Sequence, residues 1–173
     1  MPQHERMVIL YVEDEPDWVI LVTEILGSSR EPSGVDFIVF NAKNLEEAKD
    51  MITKSHVDVI ILDLGLPDCK GIDTVREVKA ISKNIPVIVV SALKDEVMAR
   101  QAFNLGIHDF YEKSSNFFRS NFLSTSLIMA RERNRLFEKR DALKDIASTM
   151  VRKMDEQIDR EGGKNDQGTT GKV

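Results

Sequence analysis

"VILYVEDEPDW", residues 8–18, sets a core-forming run against three consecutive acids, Glu13, Asp14 and Glu15. The β-branched and aromatic residues suit a buried strand. A buried strand that ends in clustered negative charge needs a reason, and the rest of the chain supplies one. From Met7 to Lys113, short β-branched runs alternate with helical stretches, the pattern of a parallel sheet connected by helices. The strand candidates are "MVILYV", "FIVF", "VDVIIL", "IPVIVV" and "HDFY". Between them lie "DWVILVTEILGSS", "NLEEAKDMITKS", "GIDTVREVKAIS" and "DEVMARQAFNL", each with apolar residues at helical spacing. The expected fold is α/β, a doubly wound five-stranded parallel sheet. In such a sheet, ligands gather beyond the carboxyl ends of the strands near the topological switch point.

A length of 173 residues suits one domain plus an extension. With 42% hydrophobic and 31% charged residues and a net charge of -5, the chain has a globular composition, and nucleic acid is not expected as a partner. Cys69 is the only cysteine, which excludes an intrachain disulfide and fits a reducing compartment. The polar start "MPQHERM" leaves no room for a signal peptide, and no apolar run approaches membrane-spanning length. A cytoplasmic protein without membrane contact is expected.

After Lys113 the character changes. The stretch from Ser114 to Glu161 has neither proline nor glycine and reads as one long helix or two. Phe122, Met129, Leu136, Leu143, Ala147, Met150, Met154 and Ile158 fall on one stripe, flanked by charge. A continuous helix from Asn116 to Arg160 would reach about 65 Å. The ending "GGKNDQGTTGKV" has the composition of a disordered tail. The expected division is a globular domain over 1–133, a helical, coiled-coil-like extension over 134–160 and a tail over 161–173.

Asp63 ends "VDVIIL" as Glu13 and Asp14 end "VILYV", so neighbouring parallel strands would bring the three carboxylates to one sheet edge. Like charges so placed require a cation. An all-oxygen cluster with room for water suits Mg²⁺, whereas zinc would want His or Cys. His4, His56 and His108 are scattered and carry no such expectation. Glu15, followed by Pro16, and Asp17 read as the mouth of a helix. Ser91 follows "IPVIVV" and Lys113 follows "HDFYE", adding a hydroxyl and an ammonium at two further strand ends. Carboxylates, a cation, a hydroxyl and an ammonium together suit phosphoryl chemistry.

"VEDEP", "DLGLPDCKGID", "VSA" and "GIHDFYEK", in this order and spacing, resemble the receiver domain of two-component response regulators, over about Met7 to Arg133. The resemblance implies the flavodoxin-like receiver fold, with Asp63 as the phosphoacceptor that takes a phosphoryl group from a phosphohistidine. It implies that Asp14 binds Mg²⁺, that Glu13 helps hold it and that the Gly65 carbonyl adds a backbone ligand. Lys113 would pair with one phosphoryl oxygen and Ser91 with another, Ser91 thereby reporting the modification. Phe110, rather than Tyr111, matches the family's switch aromatic. Pro67 and Gly71 would shape the loop after Asp63. Three positions depart from the family pattern or tune it. Ser114 stands where a proline often follows the lysine in a cis bond, a conformation that would cost about 2.5 to 4 kcal/mol before serine. Gly65 and Leu93 occupy positions at which the family tunes loss of the phosphoryl group. Neither offers a polar side chain to an attacking water, so slow self-dephosphorylation is expected.

The resemblance thus implies a phosphorylation-dependent signalling switch in a two-component system or phosphorelay. Its partner would be a sensor histidine kinase or phosphotransfer protein, and its only chemistry Mg²⁺-dependent self-phosphorylation and self-dephosphorylation. Nothing after Arg133 resembles a DNA-reading or catalytic domain, and the apolar stripe suggests a homodimer through the C-terminal helix; a helix folded back on its own domain is the alternative. The chain reads either as a stand-alone regulator, which its glycine-rich ending favours, or as a receiver-plus-linker fragment of a larger multidomain signalling protein. An aspartyl-nucleophile phosphohydrolase is a further alternative, but haloacid dehalogenase-type enzymes need an acid where this chain has Gly65.

Overall fold

The computed structural model describes residues 5–29, 34–92, 95–114 and 117–162. The elements alternate along the chain: β1 (Glu5–Val12), α1 (Pro16–Ser28), β2 (Val35–Ala42), α2 (Leu45–Lys54), β3 (Val59–Leu62), α3 (Ile72–Ser82), β4 (Val87–Ser91), α4 (Glu96–Asn104), β5 (Asp109–Glu112) and α5 (Ser120–Gly162). All strand pairs are parallel, and the order is β2-β1-β3-β4-β5. The order reverses beside β1, which puts the switch point between β1 and β3.

β3 and β4 are central strands buried on both faces, which is why "VIIL" and "VIVVS" run without polar alternation. Leu10, Val12, Ile60, Leu62, Val87 and Val89 turn to one face and pack with Ala48, Val75, Val78 and Ala102 from α2, α3 and α4. Met7, Ile9, Tyr11, Ile61, Ile88 and Val90 turn to the other and pack with Val22 and Leu26 of α1 and Leu123, Leu127 and Ala130 of α5.

Helix starts follow local chemistry. Asn44 caps α2 by accepting from the Glu47 N–H at 2.8 Å, and Asp95 caps α4 by accepting from the N–H groups of Val97 and Met98. Gly71 precedes α3 with φ 63°, a conformation open to glycine, and its N–H returns to the Leu64 carbonyl at 2.8 Å. That bond closes the loop that follows Asp63.

The C-terminal segment is a single helix rather than two, and its packing divides the chain into units of 1–134 and 135–173. In the first unit, α5 seals the sheet through Leu123, Leu127 and Ala130, while the stripe residues Phe122 and Met129 stay exposed. In the second, Leu136, Leu143, Met150, Met154 and Ile158 are all between 62% and 66% exposed. The expected tail over 161–173 lies outside the described residues apart from the last helical turn. No helix among the described residues is long and apolar enough to cross a membrane.

Candidate functional site

Parallel register gathers the strand ends. Tyr11 pairs with Ile61 and Val12 with Leu62, so the chain leaves β1 and β3 side by side, and Glu13 and Asp63 follow one step later. The Asp63 N–H donates to the Val12 carbonyl at 3.0 Å and the Glu13 N–H to the Ala42 carbonyl at 2.9 Å, so both backbones are fixed to neighbouring strands. Ligand oxygens of Glu13, Asp14 and Asp63 lie within 4.8 Å of one another. Glu13 and Asp63 are buried and Asp14 is the most open of the three.

Lys113 answers this charge. Its Nζ lies 2.6 Å from Glu13 Oε2 and 3.4 Å from Asp63 Oδ1, and its side chain is 3% exposed. Its backbone N–H donates to the Ser91 carbonyl at 2.8 Å, extending the sheet edge from β4 to β5. Ser91 is buried and lines the same cleft as Asp14, Asp63 and Lys113. The four strand ends therefore converge as the sequence implied.

The loop after Asp63 contributes backbone. The Gly65 N–H donates to Asp63 Oδ2 at 3.1 Å, and a Cβ built on Gly65 would lie 3.0 Å from that oxygen. Glycine therefore permits the close approach, and it supplies none of the acid that a dehalogenase-type hydrolase requires. The Lys113–Ser114 bond is trans. Leu93 lies outside the described residues, as does His4. Phe110 pairs with Val89 and packs toward the α3 and α4 side. Tyr111 faces the other way, against Phe117 and Phe122 at ring separations of 4.7 and 5.3 Å.

Glu15 and Asp17 stand at the mouth of α1 as expected: Glu15 occupies the N-cap position, without a side-chain capping bond, and Asp17 lies in the first turn. Pro16 follows at the helix start, where a missing N–H costs nothing, and the Glu15 N–H instead contacts Glu13 Oε1 at 3.3 Å.

Two contacts escaped the sequence reading. The Tyr11 hydroxyl donates to Glu13 Oε2 at 2.8 Å in the interior. The i, i+2 spacing along a strand direction was the available signal, since it places both side chains on one face. Trp18, the only tryptophan, has Lys113 Nζ at 5.5 Å from its ring centroid and stacks on Phe118 at 4.7 Å. Nothing in the local sequence announces that contact.

Burial pushes the Glu13 carboxyl above its ordinary value, while hydrogen bonds from Lys113 and Tyr11 pull the other way. Burial, followed by the adjacent Glu13 charge, pushes the Tyr11 phenol up, so it remains a donor. The donor set is all oxygen and strongly acidic, and it has one open member, Asp14. These features fit a hard divalent cation such as Mg²⁺. Among the described residues no other group of three or more metal-ligating side chains is so close.

Comparison with known proteins points the same way. The family model described as "Response regulator receiver domain" matches residues 9–120. Sporulation initiation phosphotransferase F of Bacillus subtilis is 30% identical over 105 residues, spanning 61% of this chain and 80% of that protein. The KDP operon transcriptional regulatory protein KdpE of Escherichia coli is 35% identical over 105 residues, spanning 61% of this chain but 44% of its own length. Among solved structures, the signal receiver domain of a putative Luxo repressor protein from Vibrio parahaemolyticus superposes with a TM-score of 0.63 at 27% identity. That match covers 77% of this chain and 95% of the other.

Proposed function

Since this chain belongs to the response regulator receiver domain family, we propose that it is a phosphorylation-dependent switch whose phosphoacceptor is Asp63. The observation that carries this reading is the Lys113 ammonium held between Glu13 and Asp63 at 2.6 and 3.4 Å, at the rim where Asp14 and Ser91 also open. An Asp63 oxygen attacks phosphorus, the bond from phosphorus to the donor's histidine nitrogen breaks, and an aspartyl phosphate forms. A sensor histidine kinase or phosphotransfer protein is the donor.

Glu13 and Asp14, with Asp63 and the Gly65 carbonyl, would hold Mg²⁺. When bound, the cation neutralises charge between an anionic nucleophile and an anionic phosphoryl group. The chain's own groups do the rest. The Gly65 N–H orients one Asp63 oxygen. Lys113 turns from the carboxylates to a phosphoryl oxygen, and Ser91 donates to another. Movement of Ser91 frees space beside β4 and β5, where Phe110 reads the change. Nothing in this cycle requires turnover of a separate substrate, so the protein works as a switch.

Intact mass after incubation with Mg²⁺ and a small phosphodonor tests the reading. Wild type gains one phosphoryl group and Asp63→Asn gains none. An undiminished adduct on the variant, or none on wild type from any donor, removes the assignment. With Gly65 and Leu93 offering no polar side chain to water, the adduct decays over minutes or longer, and a half-life of seconds contradicts that.

The output is read from α5. Within residues 134–160, Leu136, Leu143, Met150, Met154 and Ile158 of the apolar stripe are each more than half exposed. Such a stripe is buried most simply by the same stripe of a second copy, so we assign 1–133 to the receiver, 134–160 to a pairing helix and 161–173 to a tail. Solution mass of the full chain and of a chain ending at Asn134, each with and without a phosphoryl mimic, tests this pairing. Monomers throughout would exclude it.

A further inference from the structure

On the face of β1 that carries Tyr11, the two preceding residues past the exposed Glu5 are Met7 and Ile9, and Met7, Ile9 and Tyr11 are fully buried. Phenylalanine would fill the same space without a polar atom to desolvate. A phenol in such a place needs a partner, and its partner is Glu13 Oε2 at 2.8 Å. The same oxygen also accepts from Lys113 at 2.6 Å. Glu13 Oε2 is thus held by two donors, while among the described residues Oε1 has the long contact to the Glu15 N–H at 3.3 Å. The carboxylate is pinned chiefly through Oε2.

These two donors differ in what they can do next. Lys113 is shared, with Asp63 3.4 Å away, and in the proposed cycle it leaves Glu13 for the phosphoryl group. Tyr11 has no such alternative, since its strand is fixed by pairing with Asn41 on one side and Ile61 on the other. We infer that Tyr11 is a positioning residue: its hydroxyl holds the Glu13 carboxylate among the metal-holding acids and keeps it there when Lys113 turns away. This inference rests on the reading of Asp63, Asp14 and Glu13 as a Mg²⁺-dependent phosphoacceptor site. It adds a residue behind the metal-holding acids, where loss of an orienting hydrogen bond typically weakens metal binding by about 10- to 100-fold.

Trp18 provides the readout, being the only tryptophan and lying beside Lys113. Mg²⁺ is titrated into the full chain while Trp18 emission is followed, for wild type, Tyr11→Phe, Glu13→Gln and the double variant. Tyr11→Phe should bind Mg²⁺ about tenfold more weakly. On the Glu13→Gln background, loss of the hydroxyl should change little, because the route through Glu13 is already gone. Met7→Leu, which alters the same face of β1 without touching Glu13, should bind as wild type does, whereas a merely structural role for Tyr11 would lower the melting temperature and leave the affinity alone. If Tyr11→Phe is only marginally folded without the cation, the Mg²⁺ dependence of its melting temperature yields the same constant. A dissociation constant within twofold of wild type, or an equal loss on both backgrounds, overturns the inference. The Asp63 adduct separates the two levels: if wild type forms it and binds Mg²⁺ but Tyr11→Phe is unchanged, only the positioning role falls. If wild type neither binds Mg²⁺ nor forms the adduct, both readings fall.

Discussion

Replacing Lys113 by methionine removes the ammonium while keeping most of the side chain's length and volume. At an effective dielectric of about 20, the contacts at 2.6 and 3.4 Å are worth about 6 and about 5 kcal/mol of attraction. Removing the ammonium from water opposes this by several kcal/mol, so the net loss on deleting one partner of such a buried cluster is about 3 to 5 kcal/mol. For a folded unit of this size that lowers the melting temperature by on the order of 15 °C. The cause is specific: Glu13 and Asp63 stay in the interior and lose the ammonium placed between them. Urea unfolding of wild type and Lys113→Met in metal-free buffer measures the gap. Repeating it in Mg²⁺ measures the cure, since a cation present at about 100-fold above its dissociation constant adds about 2.7 kcal/mol. The variant should gain more than wild type, because its acids no longer share an ammonium, and the gap should narrow. A gap under about 1 kcal/mol without metal, or one that Mg²⁺ leaves unchanged, would refute the view that Lys113 is the resting counter-ion of the acids.

Three further outcomes are expected. Leu127→Ala, at a fully buried position of α5, should cost about 2 to 5 kcal/mol in denaturant unfolding, and a cost below 1 would mean that the helix does not seal the sheet. Gly65→Ala places a methyl 3.0 Å from Asp63 Oδ2, and the displaced carboxylate should accept a phosphoryl group about 3- to 10-fold more slowly, measured as the initial rate of adduct formation. His108 is held below its ordinary value of 6.5 by burial, then by Lys79 and Arg133, against the opposing pull of Asp109 and of a hydrogen bond that the imidazole donates to Asn134. Because its folded value is depressed, the stability it contributes is present above pH 6.5 and is lost as the pH falls through the folded value. Wild type should therefore lose stability relative to His108→Asn on acidification below that point, and parallel pH profiles would show that His108 does not titrate on unfolding.

The site was legible in sequence because topology does most of the placing. Once β1 and β3 are read as parallel neighbours, Glu13 and Asp63 have nowhere else to be, and Ser91 and Lys113 follow from β4 and β5. β-branched runs made these strands plain. What topology does not fix is which oxygen a side chain reaches, so the Tyr11 contact and the placement of Trp18 over Lys113 needed coordinates. The C-terminal helix shows a different limit. Its early turns are apolar on two faces, one through Leu123, Leu127 and Ala130 and one through Phe122 and Met129. Periodicity identified the second face, yet the core took the first, because only contact with the sheet decides between two stripes of similar hydropathy.

The four strand ends that meet at the cleft come from residues 13, 63, 91 and 113, and one face of the sheet, covered in part by α1, is completed by Phe117, Phe118, Leu123, Leu127 and Ala130. During synthesis, a chain released as far as β4 would therefore have Asp63, the proposed nucleophile, but no lysine to balance the acids, and one released as far as β5 would have a core covered only in part. On the proposed reading, a phosphodonor meeting such a nascent or partly unfolded chain would find no competent acceptor. The wide spacing of these residues would then make signal reception conditional on the integrity of the whole receiver, so that damaged or unfinished copies would stay silent.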